Sequence, residues 1–336
     1  MKKSIYIFQN GQLRRKDNTL FFLNEEGKRN FIPVEDINDI FIFSETQLNT
    51  KLLDFLSQKH ICVHFFNYYG YYSGTYYPRE HLNSGQVILK QAEHYINLEK
   101  RLDLAKRFIK GSIQQMKKVV YYYLKRREDK LVLTKSVVKD LDAILEDFSN
   151  AKSIEELMSF EGHAREKYYS CFDEILNNEN FKFEKRSKRP PLNQLNALIS
   201  FGNAICYTIV LSELYKTYLD PRIGFLHTTN FRRFSLNLDL AEIFKPIMVD
   251  RLIFMMINKK IITKKDFEHE HGGGILLNKS GKRKFIEQLE KRMRTTVKHR
   301  RLEKNVSYRR LIRLEAYKIQ KHVLGEREYE PYQALW

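Results

Sequence analysis

The chain has 336 residues, of which 43% are hydrophobic and 30% charged, and its formal net charge is +18. This composition is typical of a folded protein and excludes an intrinsically disordered chain. No uninterrupted apolar run approaches the roughly 20 residues that span a bilayer, and the first apolar run is shorter than the about 7–15 residues of a signal peptide. We therefore expect a cytoplasmic protein with no membrane partner.

The positive charge is concentrated in one part of the chain. Residues 1–80 contain 10 Lys/Arg and 9 Asp/Glu, whereas residues 281–320 contain 14 Lys/Arg and 4 Asp/Glu. Such asymmetry favours a polyanionic partner, and nucleic acid is the best candidate. Cys62, Cys171 and Cys206 are widely separated, so the sequence predicts neither a disulfide framework nor a thiolate zinc site.

The N-terminal part of the chain has the pattern of a β-rich domain. Short apolar runs at 5–8, 20–23, 31–34, 40–43 and 61–66 are separated by turn pairs such as Asn10-Gly11. Leucines at 48, 52, 53 and 56 have helical spacing and predict one helix among the strands. Tyrosines at 71, 72, 76 and 77 indicate a last strand with exposed aromatic side chains, which we assign to a subunit interface because this domain is nearly neutral.

The pattern changes to helical after Pro78. Helices are predicted over 86–127, 134–148, 153–177, 192–218 and 237–258, followed by a hairpin near 268–277 and a long basic helical region over 282–323. The sequence thus predicts an α+β fold with a β-rich domain (1–80), a linker (81–88) and a larger all-α domain (89–336).

Common nucleotide-handling motifs are absent from the sequence. There is no phosphate-binding P-loop, dinucleotide-binding glycine motif, His-Glu-x-x-His or Gly-x-Ser-x-Gly, so ATP hydrolysis, dinucleotide redox chemistry and serine hydrolysis lose support. Metal-dependent phosphodiester chemistry needs none of these motifs. It needs hard oxygen ligands, in some cases an imidazole, and a cationic surface for the substrate.

One loop and the helix after it carry candidate ligands for such a metal. His227 lies in the loop, and Asp239 and Glu242 follow three residues apart on one face of a mostly apolar helix. Acids in apolar surroundings are costly unless a cation meets them, which favours a divalent metal held by His227, Glu242 and a further acid. The alternatives are a packed or capping histidine, and acids that are solvated or paired with Arg232, Arg233 or Lys245.

Four ordered motifs carry a resemblance to a known family. They are Phe160-Glu161-Gly162-x-Ala164-x-x-x-Tyr168, then Pro190-Pro191-Leu192-Asn193, then Asp220-Pro221-x-x-Gly224-Phe225-Leu226-His227, then Leu238-Asp239-Leu240-x-Glu242-x-Phe244-x-Pro246. Together they resemble the CRISPR-associated adaptation endonuclease/integrase (Cas-one) family over essentially the whole chain. The resemblance includes the order of a β-rich domain, a helical domain and a basic C-terminal region.

The resemblance implies a metal-dependent DNA endonuclease and integrase. Such a protein inserts foreign DNA spacers into a CRISPR array by attack of a 3′-hydroxyl on a phosphodiester. Magnesium or manganese would be held by Glu161, His227 and Glu242, with Asp239 beside the site. Some relatives have aspartate where this chain has Glu242, so the choice between Asp239 and Glu242 as direct ligand stays open. The implied partners are double-stranded DNA (spacer precursor and array), a second copy of the chain and a small Cas-two protein.

Contacts with DNA are predicted for one aromatic and five basic residues, namely Tyr168, Arg232, Arg233, Lys282, Arg292 and Arg294. Core packing is the alternative for the tyrosine, and a solvated helix face is the alternative for the basic residues. A rival metal cluster at 268–271 is disfavoured, because alternation along a strand would place its histidines and glutamates on opposite faces. Two other functions remain open: a catalytically silent nucleic-acid-binding scaffold, and a branched-DNA nuclease that acts in repair.

Overall fold

Strands come first along the chain and helices follow. A computed structural model describes residues 2–126, 131–229, 234–270, 272–299 and 302–334. The chain separates into two units, Met1–Asn83 and Ser84–Trp336. This division lies within the predicted linker 81–88, but the last residues of that linker already belong to a helix, which begins at Gly85. The α+β fold class, with a strand-rich N-terminal part and a mostly helical C-terminal part, is confirmed.

The N-terminal unit contains two four-stranded sheets and one helix. One sheet has the strand order β1-β5-β7-β8, in which β8 is antiparallel to its neighbour, and the other has the order β4-β3-β2-β6. The elements are β1 (Lys3–Ile7), β2 (Gly11–Lys16), β3 (Thr19–Asn24), β4 (Arg29–Pro33), β5 (Ile37–Ile42), β6 (Thr46–Gln47), α1 (Thr50–Gln58), β7 (Cys62–Phe66) and β8 (Tyr72–Tyr76).

Strand β5 is buried along its whole length because both faces of its sheet are covered by side chains. Its isoleucines join a core with Leu13 and the apolar side of α1. Alternation places Phe41, and Phe43 just after the strand, on the face opposite Ile40 and Ile42. There Phe43 stacks on Phe66 with ring centroids 4.5 Å apart, and Phe66 meets Tyr72, which is 39% exposed. One face of this sheet is therefore aliphatic and enclosed, and the other is an aromatic layer that reaches solvent.

The second unit is mostly helical. Its hairpin of β9 and β10 lies where the sequence predicted one. The elements are α2 (Gly85–Ile96), α3 (Leu98–Leu124), α4 (Val132–Asp147), α5 (Ile154–Ser170), α6 (Phe172–Leu176), α7 (Gln194–Leu214), α8 (Leu236–Lys245), α9 (Arg251–Asn258), β9 (Phe267–His269), β10 (Ile275–Leu277), α10 (Lys279–Arg294), β11 (Thr296–Lys298), β12 (Asn305–Ser307) and α11 (Tyr308–Val323).

The long basic region over 282–323 is not one helical segment, so that prediction is wrong. Helix α10 ends at Arg294, and β11 pairs antiparallel with β12 before α11 begins. The β-branched residues Thr295, Thr296 and Val297 favour an extended backbone here. Ser307 then starts α11, because its side chain accepts a hydrogen bond from the backbone N–H of Arg310.

Helix α7 is the apolar centre of the helical unit. By length and a mean hydropathy of 1.5 it could cross a membrane, although polar residues interrupt it and keep every apolar run short. Within that window 83% of the helix is buried by the rest of the fold, so the apolar surface is already covered. Helix α8, which carries Asp239 and Glu242, packs against both α3 and α7. This packing places both acids in the interior of the unit.

Candidate metal centre

Helices α5 and α8 bring two glutamates to one cation. Arg165 lies one turn after Glu161 on α5; its Nε donates to Glu161 Oε1, and its Nη2 donates to Glu242 Oε2. Lys245 lies one turn after Glu242 and donates from Nζ to Glu242 Oε1 at 2.5 Å. The two carboxylates predicted to share an ion therefore come together in this fold, through an arginine that is 77 residues from Glu242 in sequence.

Both glutamates are largely enclosed, since their side chains are 14% and 5% exposed. Burial alone would raise the pKa of Glu161, but the positive charges of Arg165 and Lys245 and the hydrogen bond from Arg165 outweigh burial and lower it. Glu161 is therefore ionised at neutral pH. His227 acts electrostatically on the same carboxylate, although the two residues are on different elements.

His227 is held by Asp239. The Asp239 carboxylate is fully buried and accepts from four donors: the backbone N–H groups of Phe225 (2.5 Å), Leu226 (3.0 Å) and His227 (2.9 Å), and His227 Nδ1 (2.8 Å). A carboxylate against Nδ1 fixes the proton there, so Nε2 carries the lone pair that a metal would need. The observed role of Asp239 is therefore to fix the loop and the imidazole.

A glycine permits this close approach of loop and helix. A Cβ atom at Gly224 would lie 2.8 Å from the Ser235 backbone and 2.9 Å from Asp239 Oδ2. The Gly224 N–H also donates to Ser235 Oγ at 2.8 Å, and Ser235 Oγ donates to the Arg222 carbonyl at 2.6 Å. The loop that presents His227 is thus tied to the start of α8 at several points.

The donor set suits a divalent ion, but the geometry is not that of a completed ion site. Among the residues that the structure describes, no three His, Cys, Asp or Glu side chains lie close enough together to hold a metal. Instead, the cations Arg165 and Lys245 occupy the space between and beside Glu161 and Glu242. Two carboxylates already gathered on cations, together with an oriented imidazole, have the chemistry of a magnesium or manganese site.

Glu242 also forms the ion pair with Lys245 that the sequence left open as an alternative. The sequence did not predict that Arg165 would link Glu161 to Glu242. Its position four residues after Glu161 on a helix was the available signal, because such pairs lie on one face. The rival cluster at 268–271 gathers no metal group among its described residues, and His271 lies outside them.

Four of the residues predicted to contact DNA lie in the described part of the chain; two of them are buried, one is half-buried and one is exposed. Tyr168 is fully buried and packs edge-to-face on Phe172 with ring centroids 4.9 Å apart, so packing accounts for it. Lys282 is 6% exposed. Arg292 donates from Nε to the Ile247 carbonyl at 2.8 Å, and burial lowers its pKa to about 10. Arg294 is the exposed member of the described set and pairs with Glu290. The remaining predicted pair, Arg232 and Arg233, lies outside the described residues.

A β-rich unit is followed by a basic helical unit in which two glutamates gather on one arginine and a buried aspartate orients a loop histidine. These features are those of the class of metal-dependent DNA-processing enzymes. The sequence model of the family described as CRISPR associated protein Cas1 matches residues 5–291. The chain therefore belongs to the Cas1 family.

Curated relatives agree over the full length of the chain. It is 52% identical over 336 residues to a protein of Thermodesulfovibrio yellowstonii named CRISPR-associated endonuclease Cas1 2, with both chains covered completely. It is 49% identical over 329 residues to CRISPR-associated endonuclease Cas1 of Thermotoga maritima, which covers 97% of this chain and 98% of that one. The prediction of a CRISPR-associated endonuclease and integrase is confirmed.

Solved structures show the same fold. A Cas1 protein from Thermotoga maritima superposes with a TM-score of 0.88 at 47% identity, covering 98% of this chain and all of that one. A casposase bound to its integration product gives 0.87 at 21% identity, covering 98% and 93%. A Cas6-RT-Cas1–Cas2 complex gives 0.85 at 19% identity, covering all of this chain and 36% of the longer one. At these lower identities the similarity concerns the fold.

Proposed function

We propose that this chain joins the 3′-hydroxyl end of captured DNA to a phosphodiester of a CRISPR array, with Glu161, His227 and Glu242 as ligands of a divalent ion. The observation that carries the proposal is the meeting of two buried carboxylates from α5 and α8 on one guanidinium, next to an imidazole fixed by Asp239. When bound, the ion supplies charge that activates the attacking hydroxyl and stabilises the phosphate oxygens.

The protein side chains have separate tasks in this proposal. Glu161 and Glu242 provide hard oxygen donors, which suit magnesium and manganese. His227 provides one nitrogen, which shifts the preference toward manganese. Asp239 keeps Nδ1 of His227 protonated and its ring in place, so it acts through the histidine and not as a ligand. Arg165 and Lys245 pair with the glutamates and keep Glu161 ionised before the ion binds.

A strand-transfer assay tests the function. Purified protein is incubated with a DNA fragment that has free 3′-hydroxyl ends and with labelled array DNA, in magnesium or manganese, and joined products are separated on a denaturing gel. We expect joining that is abolished by EDTA. DNA binding without joining in either metal would instead favour the catalytically silent scaffold. Faster cleavage of a Holliday junction than joining to the array would favour the repair nuclease.

We also propose that the protein acts in the cytoplasm as a homodimer through its N-terminal unit and assembles with a small Cas2 protein. Support for the partner comes from a solved Cas6-RT-Cas1–Cas2 complex, because one part of a chain in that complex has the fold of this protein. Support for the dimer comes from the aromatic layer beside β8, where Tyr68, Tyr69 and Tyr72 are 71%, 40% and 39% exposed. Exposed aromatic clusters of this kind are typical of protein interfaces.

Sedimentation velocity tests the dimer directly. We expect the isolated protein to sediment as a dimer, and we expect simultaneous replacement of Tyr68, Tyr69 and Tyr72 by serine to shift it toward monomer. Replacement of Tyr121, which is 47% exposed but lies on α3 of the other unit, is the matched control. A monomeric wild-type protein, or a triple variant as dimeric as the control, would contradict the proposal.

A further inference from the structure

A second basic site lies in the helical unit, outside the candidate metal centre. Helix α3, strand β11 and the C-terminal segment 329–333 enclose a cavity of about 780 Å³. Along α3 the cavity is lined by Lys106, Lys110, Gln114 and Lys118. These residues follow at steps of four, about 6 Å apart along the helix axis, so their side chains form one row.

The cations in this cavity outnumber the acids, and several are committed to the fold. Arg107 donates to Asp103 (2.8 Å) and to the Tyr329 carbonyl (2.7 Å). Lys106 donates to the Ser149 carbonyl at 2.6 Å, and Lys318 donates to the Glu330 carbonyl at 2.9 Å. These contacts hold the walls together, so they are structural.

Three other lysines of the cavity do not hold its walls together. In the described part of the chain, Lys110, Lys118 and Lys298 line the cavity, and their side chains form no ion pair or hydrogen bond. Lys110 and Lys298 are exposed, and Lys118 is half-buried. Asp103 and Glu330 also line the cavity, and Asp103 is already paired with Arg107, so the cations remain in excess and an anionic ligand would reduce their mutual repulsion.

The wall formed by the C-terminal segment is ordered by buried polar contacts. Tyr329 is fully buried and donates from its hydroxyl to Glu315 Oε1 at 2.8 Å. The same oxygen accepts from the Tyr332 N–H at 2.7 Å, and Gln115 Nε2 donates to the Tyr332 carbonyl at 2.5 Å. The cavity is therefore preformed, and a ligand would bind without first ordering this segment.

This wall also rests on the helix of the candidate metal centre. A Cβ atom at Gly111 of α3 would lie 2.6 Å from Pro331 and 3.2 Å from Ile243, so the three chain segments meet closely there. Tyr332 stacks on Phe244 with ring centroids 6.1 Å apart. Ile243 and Phe244 directly follow Glu242 on α8, which places the cavity wall against the back of the helix that presents this carboxylate.

We propose that this cavity, lined by Lys110, Lys118 and Lys298, binds the phosphodiester backbone of a single DNA strand. Lysine is a compact point charge that suits phosphate, and a row of lysines can follow successive phosphates. The volume is that of a site for a small ligand, about 300–1,000 Å³, which admits a few nucleotides of one strand and not a duplex. The half-buried Tyr332 adds an aromatic surface of the type found in single-strand sites. The identification of this single strand as DNA rests on the proposed function.

Fluorescence anisotropy tests this binding site apart from catalysis. The probe is a fluorescein-labelled single-stranded oligonucleotide, titrated with full-length protein in EDTA so that no divalent ion contributes. We compare wild type with the K110Q/K118Q/K298Q variant. The matched control is K259Q/K264Q/K265Q, which removes the same charge from exposed lysines at the far end of α9 and beyond.

We expect the cavity variant to bind the oligonucleotide roughly 100-fold more weakly at about 0.1 M salt, with the slope of log affinity against log salt smaller by about 2. The control should stay close to wild type. Equal losses in both variants would overturn the proposal, and an equal loss of duplex affinity in the cavity variant would overturn the assignment to a single strand. Because no joining is measured, a wild-type protein that fails in strand transfer refutes the proposed function and leaves this binding result intact.

Discussion

Replacement of Glu242 by glutamine is expected to reduce strand transfer by about 10³-fold or more, equivalent to about 4 kcal/mol of activation free energy. The amide keeps the size of the side chain but removes the negative charge that a divalent ion needs. Glu242 is 5% exposed and contacts both Arg165 and Lys245, so the change also leaves two cations with less compensation in the interior. We expect an additional loss of about 3–5 kcal/mol in the free energy of unfolding.

A second variant separates the loss of activity from the loss of stability. Glu161 forms an ion pair with Arg165, whereas Glu242 pairs with both Arg165 and Lys245, and the Glu161 side chain is more exposed, at 14%, so Glu161→Gln should destabilise the fold less. It should nevertheless reduce strand transfer to a similar degree. The control is Glu166→Gln, an exposed glutamate on the same helix. Strand transfer is measured at saturating DNA well below the midpoint of thermal unfolding of each variant. Activity that survives in both variants would contradict the assignment of these carboxylates.

The sequence predicted the helix that carries Asp239 and Glu242 but not the partner that each side chain contacts. The spacing of Asp239 and Glu242 correctly placed them on one helix, yet their side chains meet different partners. Asp239 is directed to the loop before α8, and Glu242 is directed to α5. Residues three apart differ by about 60° around the helix axis, which is enough to reach two different neighbours in a packed interior. Only the tertiary packing of α8 between its neighbours decides which carboxylate faces Glu161.

Other differences between prediction and structure also have a physical origin. Strand β2 was not predicted because its sequence, with Arg14, Arg15 and Lys16, presents only Leu13 as a buried apolar residue. In contrast, the fully buried β5 was predicted because its apolar run is nearly continuous. The basic C-terminal residues were treated as one surface by their charge alone. Several of them instead pack in the interior, as Lys282 does, since long side chains can bury their aliphatic parts.

The second large effect is expected for Asp239→Asn. The Asp239 carboxylate accepts from three backbone N–H groups and from His227 Nδ1. An amide has one oxygen for these four donors and turns an NH₂ group toward the others, so at least one buried N–H loses its acceptor. We expect a loss of about 3–5 kcal/mol in the free energy of unfolding. Each kcal/mol of this loss should lower the Tm by about 2–4 °C.

The activity of Asp239→Asn should distinguish a residue that positions His227 from a direct ligand. If Asp239 acts through the imidazole, the variant should need about 10–100-fold more metal for half-maximal strand transfer, and much of the activity should return at saturating metal. Glu242→Gln should not recover in this way, because the missing charge belongs to the ligand itself. Asp147→Asn, at an exposed position on α4, is the control for the substitution. An Asp239→Asn protein with the Tm and metal requirement of wild type would contradict the positioning role. One that is inactive at every metal concentration, yet folded, would make Asp239 a ligand and would leave Glu242 as the residue whose role is to hold Arg165 and Lys245.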